Sequence, residues 1–490
     1  MPTEPLRPAR LSWTRLGIVA VLLSTLLWGW SSARSALVAR KVHAAAPPQA
    51  SSARDPSPTD ADLKRPPVEK SGAKSGRLIQ TLRDQVANSP VLQDEESQGS
   101  LLESLDQAGD LWERTHRQNR QALQQLQRQV RIGKSRQAPH LVLITFEHAG
   151  DPDSSRDRLF ADLSQRGVSF SEHYAGGLSP ASGWWSLMTG YPASRASAGE
   201  KRFELRESDV TIATTLWKAG YDTAFLGVWP GSAAPLRCGF EEWTGLETPL
   251  DDVPLYPARL ATARNYMTVA PNANGGQKVS LWTLLDAEIA SYFRSHASSS
   301  RPWFLQIRLP EIETDSSGGS AESVVVHALE ALEKSGVSAQ TCVFVTTLSG
   351  PRTAPVISEH RLRTPLVMVG GHPENAGRVA RNVTVAWDLL PTLLDIAGAS
   401  KRPHGRDGRS LVQNSSQPPW DNERLLYWQA DEQNGAQFVR RGEWFGTVAP
   451  GAPQLQLFHL PTDPDLKKDV ASAHPAVVQR LLAPETTPAK

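Results

Sequence analysis

The sequence contains little cysteine: Cys238 and Cys342 are the only two among 490 residues. Two thiols cannot build a disulfide scaffold, and neither belongs to a Cys-x-x-Cys pair or a Cys/His cluster of the kind that binds zinc. Cys342 lies in an apolar, strand-like run, which favours a buried small hydrophobe over a reactive thiol. Two cysteines are compatible with either a reducing or an oxidising compartment, and the sequence does not decide whether they form a disulfide with each other.

The chain also lacks a strong net charge. Its 52 basic and 51 acidic residues leave a formal charge of +1, so no global field points to nucleic acid or another polyanion as a partner. Hydrophobic residues make up 39% of the sequence, which is enough to build a sizeable core. We therefore expect a large globular domain with accessory segments and no nucleic-acid partner.

One long apolar run is present near the N-terminus, at residues 16–30, directly after Arg7, Arg10 and Arg15. It is about 15 residues long, short for a comfortable membrane span and long for the core of a signal peptide. The preceding arginines indicate a cytoplasmic N-terminus, and Trp28 suits the membrane interface. We favour an uncleaved anchor, with a cleaved signal peptide as the alternative; both place the rest of the chain outside the cytoplasmic membrane.

Three segments precede the expected globular region. Residues 1–43 are the cytoplasmic tail with the hydrophobic anchor or signal, and residues 44–75 are rich in Ala, Pro and Ser, which predicts a disordered tether. Residues 76–135 carry apolar side chains at spacings of three, four and seven, which predicts a helical segment. Its apolar face is expected to dock on its own domain, with a short coiled coil as the alternative.

After residue 136 the pattern alternates between strands and helices. Residues 140–146 and 303–309 are almost continuously apolar, as in strands buried on both faces of a parallel sheet. Helices are expected at residues 157–167, 211–220 and 323–335. This alternation predicts an α/β domain with a mostly parallel central sheet covered by helices on both faces. Functional groups in such a domain lie at the carboxyl ends of the strands.

Several of these segments resemble the sulfatase family of the alkaline phosphatase superfamily. The matching segments include SLMTGYP at 186–192, TLWKAGYDTAFLG at 215–227, CGFEEW at 238–243, DLLPTLLDIAG at 388–398, DGRSL at 407–411, VRRGEW at 439–444 and LFHLPTDP at 457–464. They follow the family's order over about 350 residues, well beyond an average domain length. The resemblance implies a sulfatase-like domain at residues 136–425 and a small C-terminal subdomain at residues 426–490.

The resemblance also implies where the chemistry would lie. Sulfatases use a formylglycine made from cysteine and a calcium ion held by carboxylates, and neither pattern is kept in this sequence. The nucleophile position falls on Pro180, so only Ser179 or Ser182 could serve, and the arginine expected four residues on is Trp184. Glu147, beside His148, stands where the first metal-binding aspartate is expected, and a glutamate can ligate a hard cation.

Other positions implied by the resemblance are substituted as well. Where the family has a Gly-Lys-Trp-His segment, residues 227–230 read GVWP, so the lysine and the histidine are missing. The strand at residues 343–347 is followed by Leu348 instead of a carboxylate ligand. The loop at residues 310–313 lacks the expected histidine.

Two functions from different classes remain in view. The first is a membrane-anchored, extracytoplasmic sulfatase-family protein that has lost catalysis and binds or scaffolds; it needs no cofactor. The second is an active sulfuric- or phosphoric-ester hydrolase or transferase with a non-standard site, in which Ser179 or Ser182 is the nucleophile and Glu147 and His148 bind Ca²⁺. For His148 and for His173, the sequence favours an ordinary polar residue over a metal ligand. The sequence identifies neither a substrate nor a partner in the cell envelope.

Overall fold

The computed structural model describes residues 138–196, 203–231, 233–355, 357–370, 376–399, 403, 407–412, 422–430, 435–452 and 454–482. The chain divides into two compact units, Met1–Thr115 and His116–Lys490, and all described residues belong to the second. The predicted anchor, tether and helical segment lie outside the described residues. Among the helices that are described, none combines the length and the apolar composition needed to cross a membrane.

A ten-stranded sheet organises the α/β domain. In chain order its strands are β1 (His140–His148), β2 (Gly167–Tyr174), β3 (Asp222–Trp229), β4 (Glu242–Glu247), β5 (Arg259–Thr262), β6 (Tyr266–Thr268), β7 (Trp303–Leu309), β8 (Thr341–Ser349), β9 (Leu366–Gly370) and β10 (Arg378–Val385). Their order across the sheet is β10-β2-β9-β8-β1-β7-β3-β4-β5-β6.

The centre of this sheet is parallel. Strands β8, β1, β7, β3 and β4 run in one direction as direct neighbours. Strand β9 lies antiparallel between β2 and β8, and β5 and β6 close the opposite edge as an antiparallel pair. The carboxyl ends of β1, β3, β7 and β8 therefore meet at one edge, where an α/β sheet carries its functional groups.

Helices cover both faces of the sheet. They are α1 (Ser155–Arg166), α2 (Pro180–Thr189), α3 (Ile212–Lys218), α4 (Ala270–Ala273), α5 (Leu281–His296), α6 (Ala321–Lys334) and α7 (Leu389–Ile396). Alternate residues of each strand point to opposite faces, so Val142 and Ile144 pack with α1, α5 and α6, whereas Leu141 and Leu143 pack with α2, α3 and α7. Each layer has its own apolar core.

A four-stranded antiparallel sheet follows in the C-terminal region. It consists of β11 (Leu426–Gln429), β12 (Gln437–Arg441), β13 (Trp444–Val448) and β14 (Gln456–His459), with α8 (Pro475–Leu482) after it. Buried Arg440 of β12 links this sheet to β2: its Nη2 lies 2.6 Å from Glu172 Oε2, and its Nη1 donates to the Tyr174 hydroxyl. That hydroxyl in turn donates to the Glu359 carboxylate.

The predicted fold class is confirmed, and the small C-terminal subdomain that was expected contains an antiparallel sheet. The strand predicted at residues 303–309 has those bounds in the structure. Helix α1 begins two residues earlier than expected because the Ser154 side chain accepts from the Asp157 N–H at 3.1 Å and caps it. Cys238 and Cys342 are both free and buried, and burial raises the pKa of Cys342 to about 11.

Candidate functional site

The candidate site is the carboxyl edge of β1, β7, β8 and β3 together with the start of α2. Helix α2 rests directly on the end of β8, since a Cβ added at Gly183 would lie 1.9 Å from the backbone oxygen of Leu348. Only a glycine permits this contact. The two candidate nucleophiles, Ser179 and Ser182, lie on the N-terminal turn of the same helix.

Both serines are used to cap α2. The Ser182 N–H donates to Ser179 Oγ at 3.2 Å, and the Ser179 N–H donates to Ser182 Oγ at 3.1 Å. The two hydroxyl oxygens lie 2.9 Å apart, and Ser182 is fully buried. This reciprocal arrangement is a capping box, in which the side chains satisfy backbone N–H groups at the helix end. The structure therefore brings the two serines together, and their contact caps the start of helix α2.

Glu147 is the expected metal-binding carboxylate, and here it forms a buried ion pair with Arg308 of β7. Nη2 and Nε of Arg308 lie 3.2 and 3.3 Å from Glu147 Oε1, and both side chains are almost wholly buried. The guanidinium also lies over the Trp184 ring, 4.6 Å from its centre. Burial lowers the pKa of Arg308, and the adjacent Glu147 carboxylate opposes that shift.

His148, the second metal candidate, lies on the other face of the sheet from Glu147. Its Nδ1 is 3.8 Å from Glu311 Oε2, and its carbonyl oxygen accepts from Arg156 Nη1 at 2.7 Å. The Arg156 guanidinium lies over the ring of Phe146, which belongs to the core beneath α1 and α6. The structure thus does not bring His148 and Glu147 to one site.

Aromatic side chains fill the space between β3 and α2. Trp184 and Trp229 are in edge-to-face contact with ring centres 5.9 Å apart, and Phe225 lies 5.0 Å from Trp229. Leu348, at the end of β8, is 1% exposed and belongs to the same core. Trp184 and Leu348 stand where the resembled family has an arginine and a carboxylate, and here both contribute to apolar packing.

His173 lies near the carboxyl end of β2, beside β10. Its Nδ1 is 2.9 Å from Thr384 Oγ1 on β10, and the residue is fully buried. Burial lowers the pKa of His173 to about 3, with the Arg424 charge adding to the shift. His173 is accordingly a neutral, buried residue of β2.

A calcium ion does not fit these residues. Calcium takes six to eight oxygen ligands, several of them carboxylates. At this edge Glu147 is already neutralised by Arg308, and the neighbouring position on β8 is Leu348. Throughout the part of the chain that the structure describes, no group of three or more His, Cys, Asp or Glu side chains could hold a metal ion. We derive no chemical step through calcium.

Sequence reasoning missed the role of Arg308. The available signal was a charged residue within the otherwise apolar strand Trp303–Leu309. A buried charge requires a partner, so an arginine at that place predicts a carboxylate on an adjacent strand. Glu147 on β1 is that carboxylate.

Known proteins share part of this sequence. Residues 139–310 match the family model for sulfatases. Arylsulfatase K of Canis lupus familiaris is 33% identical over 129 residues, which span 24% of this chain and 24% of that protein. The matched part is thus about a quarter of that relative's length.

Solved structures share the fold. Ps i-CgsB, crystallised with k-i-k-neocarrahexaose, superposes with a TM-score of 0.59 at 18% identity, covering 70% of this chain and 91% of the other. The PsFucS1 sulfatase of Pseudoalteromonas sp. gives 0.54 at 15% identity, with coverages of 73% and 92%.

The architecture, a mostly parallel sheet between two layers of helices, is the fold shared with these solved structures. Within it, residues 139–310 are the part that matches the sulfatase family model.

Proposed function

We propose that this chain is a sulfatase-family protein that binds or scaffolds outside the cytoplasmic membrane and does not hydrolyse esters. The observation that carries the proposal is the capping box of α2. Ser179 and Ser182 are the two hydroxyls nearest the nucleophile position, and each is engaged with the backbone of the other at 3.1–3.2 Å. A nucleophilic hydroxyl is activated by a general base, whereas these two hydroxyls are committed to the end of a helix.

The surroundings of the serines support the same conclusion. A working site needs positive charge on the non-bridging oxygens of the ester. Trp184 stands on the first turns of α2 where the family has an arginine, and Trp229 ends β3 without the flanking lysine and histidine. The guanidinium that lies over the Trp184 ring belongs to Arg308, and Glu147 neutralises it.

The proposed location rests on the N-terminal sequence. Three arginines precede the apolar residues 16–30, and two tryptophans lie at the far end of that run. This order favours an N-terminus in the cytoplasm and a domain on the outer side. Protease added to intact spheroplasts should degrade the sulfatase-family domain, and alkaline extraction should leave the full chain in the membrane pellet.

Catalysis is tested with the purified full chain and the 4-nitrophenyl esters of sulfate and phosphate. We expect no turnover above buffer, with or without added calcium. Two variants separate a capping role from a nucleophilic role at Ser179. Ser179→Asp keeps a good N-cap but removes the hydroxyl, whereas Ser179→Ala removes both and should cost about 1 kcal/mol of stability.

If Ser179 acts as a cap, the wild type and Ser179→Asp should both be more stable than Ser179→Ala. Turnover by the wild type that disappears in Ser179→Asp would instead establish the alternative, an ester hydrolase with a non-standard site. The same reasoning applies to Ser182→Ala.

A further inference from the structure

We propose that Arg308 is a built-in cation that takes the place of the divalent metal at the carboxyl edge of the sheet, so that this domain is assembled and stable without calcium. The proposal concerns the site of the proposed function but does not require that hydrolysis be lost. Arg308 lies outside the motifs that identify the family, and its role is to neutralise the buried Glu147 carboxylate.

The strand arrangement fixes the guanidinium beside the carboxylate. Strand β7 lies between β1 and β3, with Arg308 in register with Thr145 on one side and Gly227 on the other. Glu147 follows Thr145 by two residues, so its side chain leaves the same face of the sheet toward α2. Arg308 and Glu147 are therefore diagonal neighbours on adjacent parallel strands.

The neighbour on β3 is a glycine for a physical reason. Gly227 has a φ of +118°, and a Cβ added there would lie 2.0 Å from the backbone oxygen of Arg308. Any larger residue would push β3 away from β7 at the level of the ion pair. Close approach of these strands brings Trp229 and Phe225 of β3 near Trp184, which closes the space around the guanidinium.

The Trp184 ring supplies the second contact that holds the cation. A guanidinium over an indole face is attracted by the ring's negative quadrupole, and the attraction is strongest where water is excluded. Trp184 is 2% exposed and Arg308 is fully buried. The guanidinium is thus held between a carboxylate and an aromatic face.

These contacts set the charge balance of the site. One carboxylate and one guanidinium cancel, so the Glu147–Arg308 pair is neutral without any ion from solution. A divalent cation placed against Glu147 would meet a fixed positive charge within a few ångströms, in surroundings that screen it poorly. Leu348, across from Glu147 on β8, adds no ligand. Calcium would have to displace Arg308 and expose a buried charge.

The test is thermal unfolding of the purified full chain in EDTA and in millimolar CaCl₂. We expect the wild-type midpoint to differ by less than about 1 °C between the two conditions, because binding to the folded state alone would raise it. Arg308→Met keeps an unbranched chain in place of the aliphatic stem of the arginine and removes the charged guanidinium, which leaves Glu147 buried without this partner. Its midpoint should fall by roughly 5–10 °C.

A double variant controls for misfolding. Glu147→Leu/Arg308→Met replaces the whole pair with apolar side chains and should recover most of the loss, as replacements of buried pairs often do. Arg308→Lys keeps the charge but loses the planar contact with Trp184, so an intermediate midpoint is expected.

Two outcomes would overturn the proposal: a wild-type midpoint raised by several degrees in calcium, or single and double variants that are equally destabilised. Its failure is distinguishable from that of the proposed function. Ester hydrolysis by a domain indifferent to calcium would contradict the proposed function and leave the role of Arg308 intact.

Discussion

Asp388 forms a second buried ion pair, and replacing it gives a quantitative test of how the C-terminal segment is attached. Its Oδ1 lies 2.9 Å from Arg424 Nη1, and its Oδ2 lies 2.5 Å from Arg424 Nη2. The same carboxylate accepts from the backbone N–H of Val385 at 3.0 Å and from that of Arg409 at 2.7 Å. Asp388 is fully buried, and the Arg424 side chain is 3% exposed.

Asp388→Asn keeps the shape of the side chain and removes its charge. The Arg424 guanidinium then loses the charge of Asp388, and the new amide group faces N–H donors where an acceptor stood. Removing one partner of a buried pair costs about 3–5 kcal/mol. For a domain of this size that corresponds to a midpoint lowered by roughly 5–10 °C.

The assay is thermal and urea unfolding followed by tryptophan fluorescence. Trp387 directly precedes Asp388, and its ring centre lies 6.2 Å from that of Trp428, so part of the signal comes from this region. Asp465→Asn is the matched control because Asp465 pairs with Lys467 on the surface, and exposed pairs contribute little. A loss below about 2 °C in Asp388→Asn, or equal losses in both variants, would refute the reasoning.

Three further predictions concern packing, pH and the C-terminal sheet. Gly183→Ala should lower the unfolding midpoint by several degrees because its Cβ would meet the Leu348 oxygen at 1.9 Å; Gly276→Ala, with nothing nearer than 3.5 Å, should not. His173 has its folded pKa lowered to about 3 from 6.5, so the unfolded chain binds the extra proton. Stability should fall as pH drops from about 6.5 towards 3, and His173→Gln should flatten that slope in urea titrations. Arg440→Met should remove the 2.6 Å ion pair between β12 and β2, although Glu172 keeps Arg363 at 2.7 Å. The C-terminal sheet should then become open to limited proteolysis before the α/β domain, whereas simultaneous cleavage of both would contradict the proposed link.

Much of the fold could be predicted because the central strands are apolar on both faces. Trp303–Leu309 and the run beginning at His140 show this pattern directly. Helix boundaries were less accurate where a cap determined the start, as at Ser154. The caps depend on backbone geometry that apolar periodicity does not encode.

The sequence predicted which positions belong to the site, but not which of their side chains contact each other. Sequence spacing placed Ser179 and Ser182 next to the nucleophile position, yet it could not show that each caps the other. Adjacent numbering suggested that Glu147 and His148 act together, whereas residues next to each other on a strand point to opposite faces. The pairing of Glu147 with Arg308 joins residues 161 positions apart, and only the order of the strands reveals it.

The neutral pair at the sheet edge also limits the routes by which a metal centre could evolve here. An aspartate introduced at Leu348 would stand beside Glu147 on the neighbouring strand, so one guanidinium would face two buried carboxylates. Loss of Arg308 alone would leave Glu147 uncompensated. Because each single change lowers stability before any ligand set is complete, several substitutions would have to arise together. A carboxylate cluster introduced at this edge one substitution at a time would therefore pass through less stable proteins.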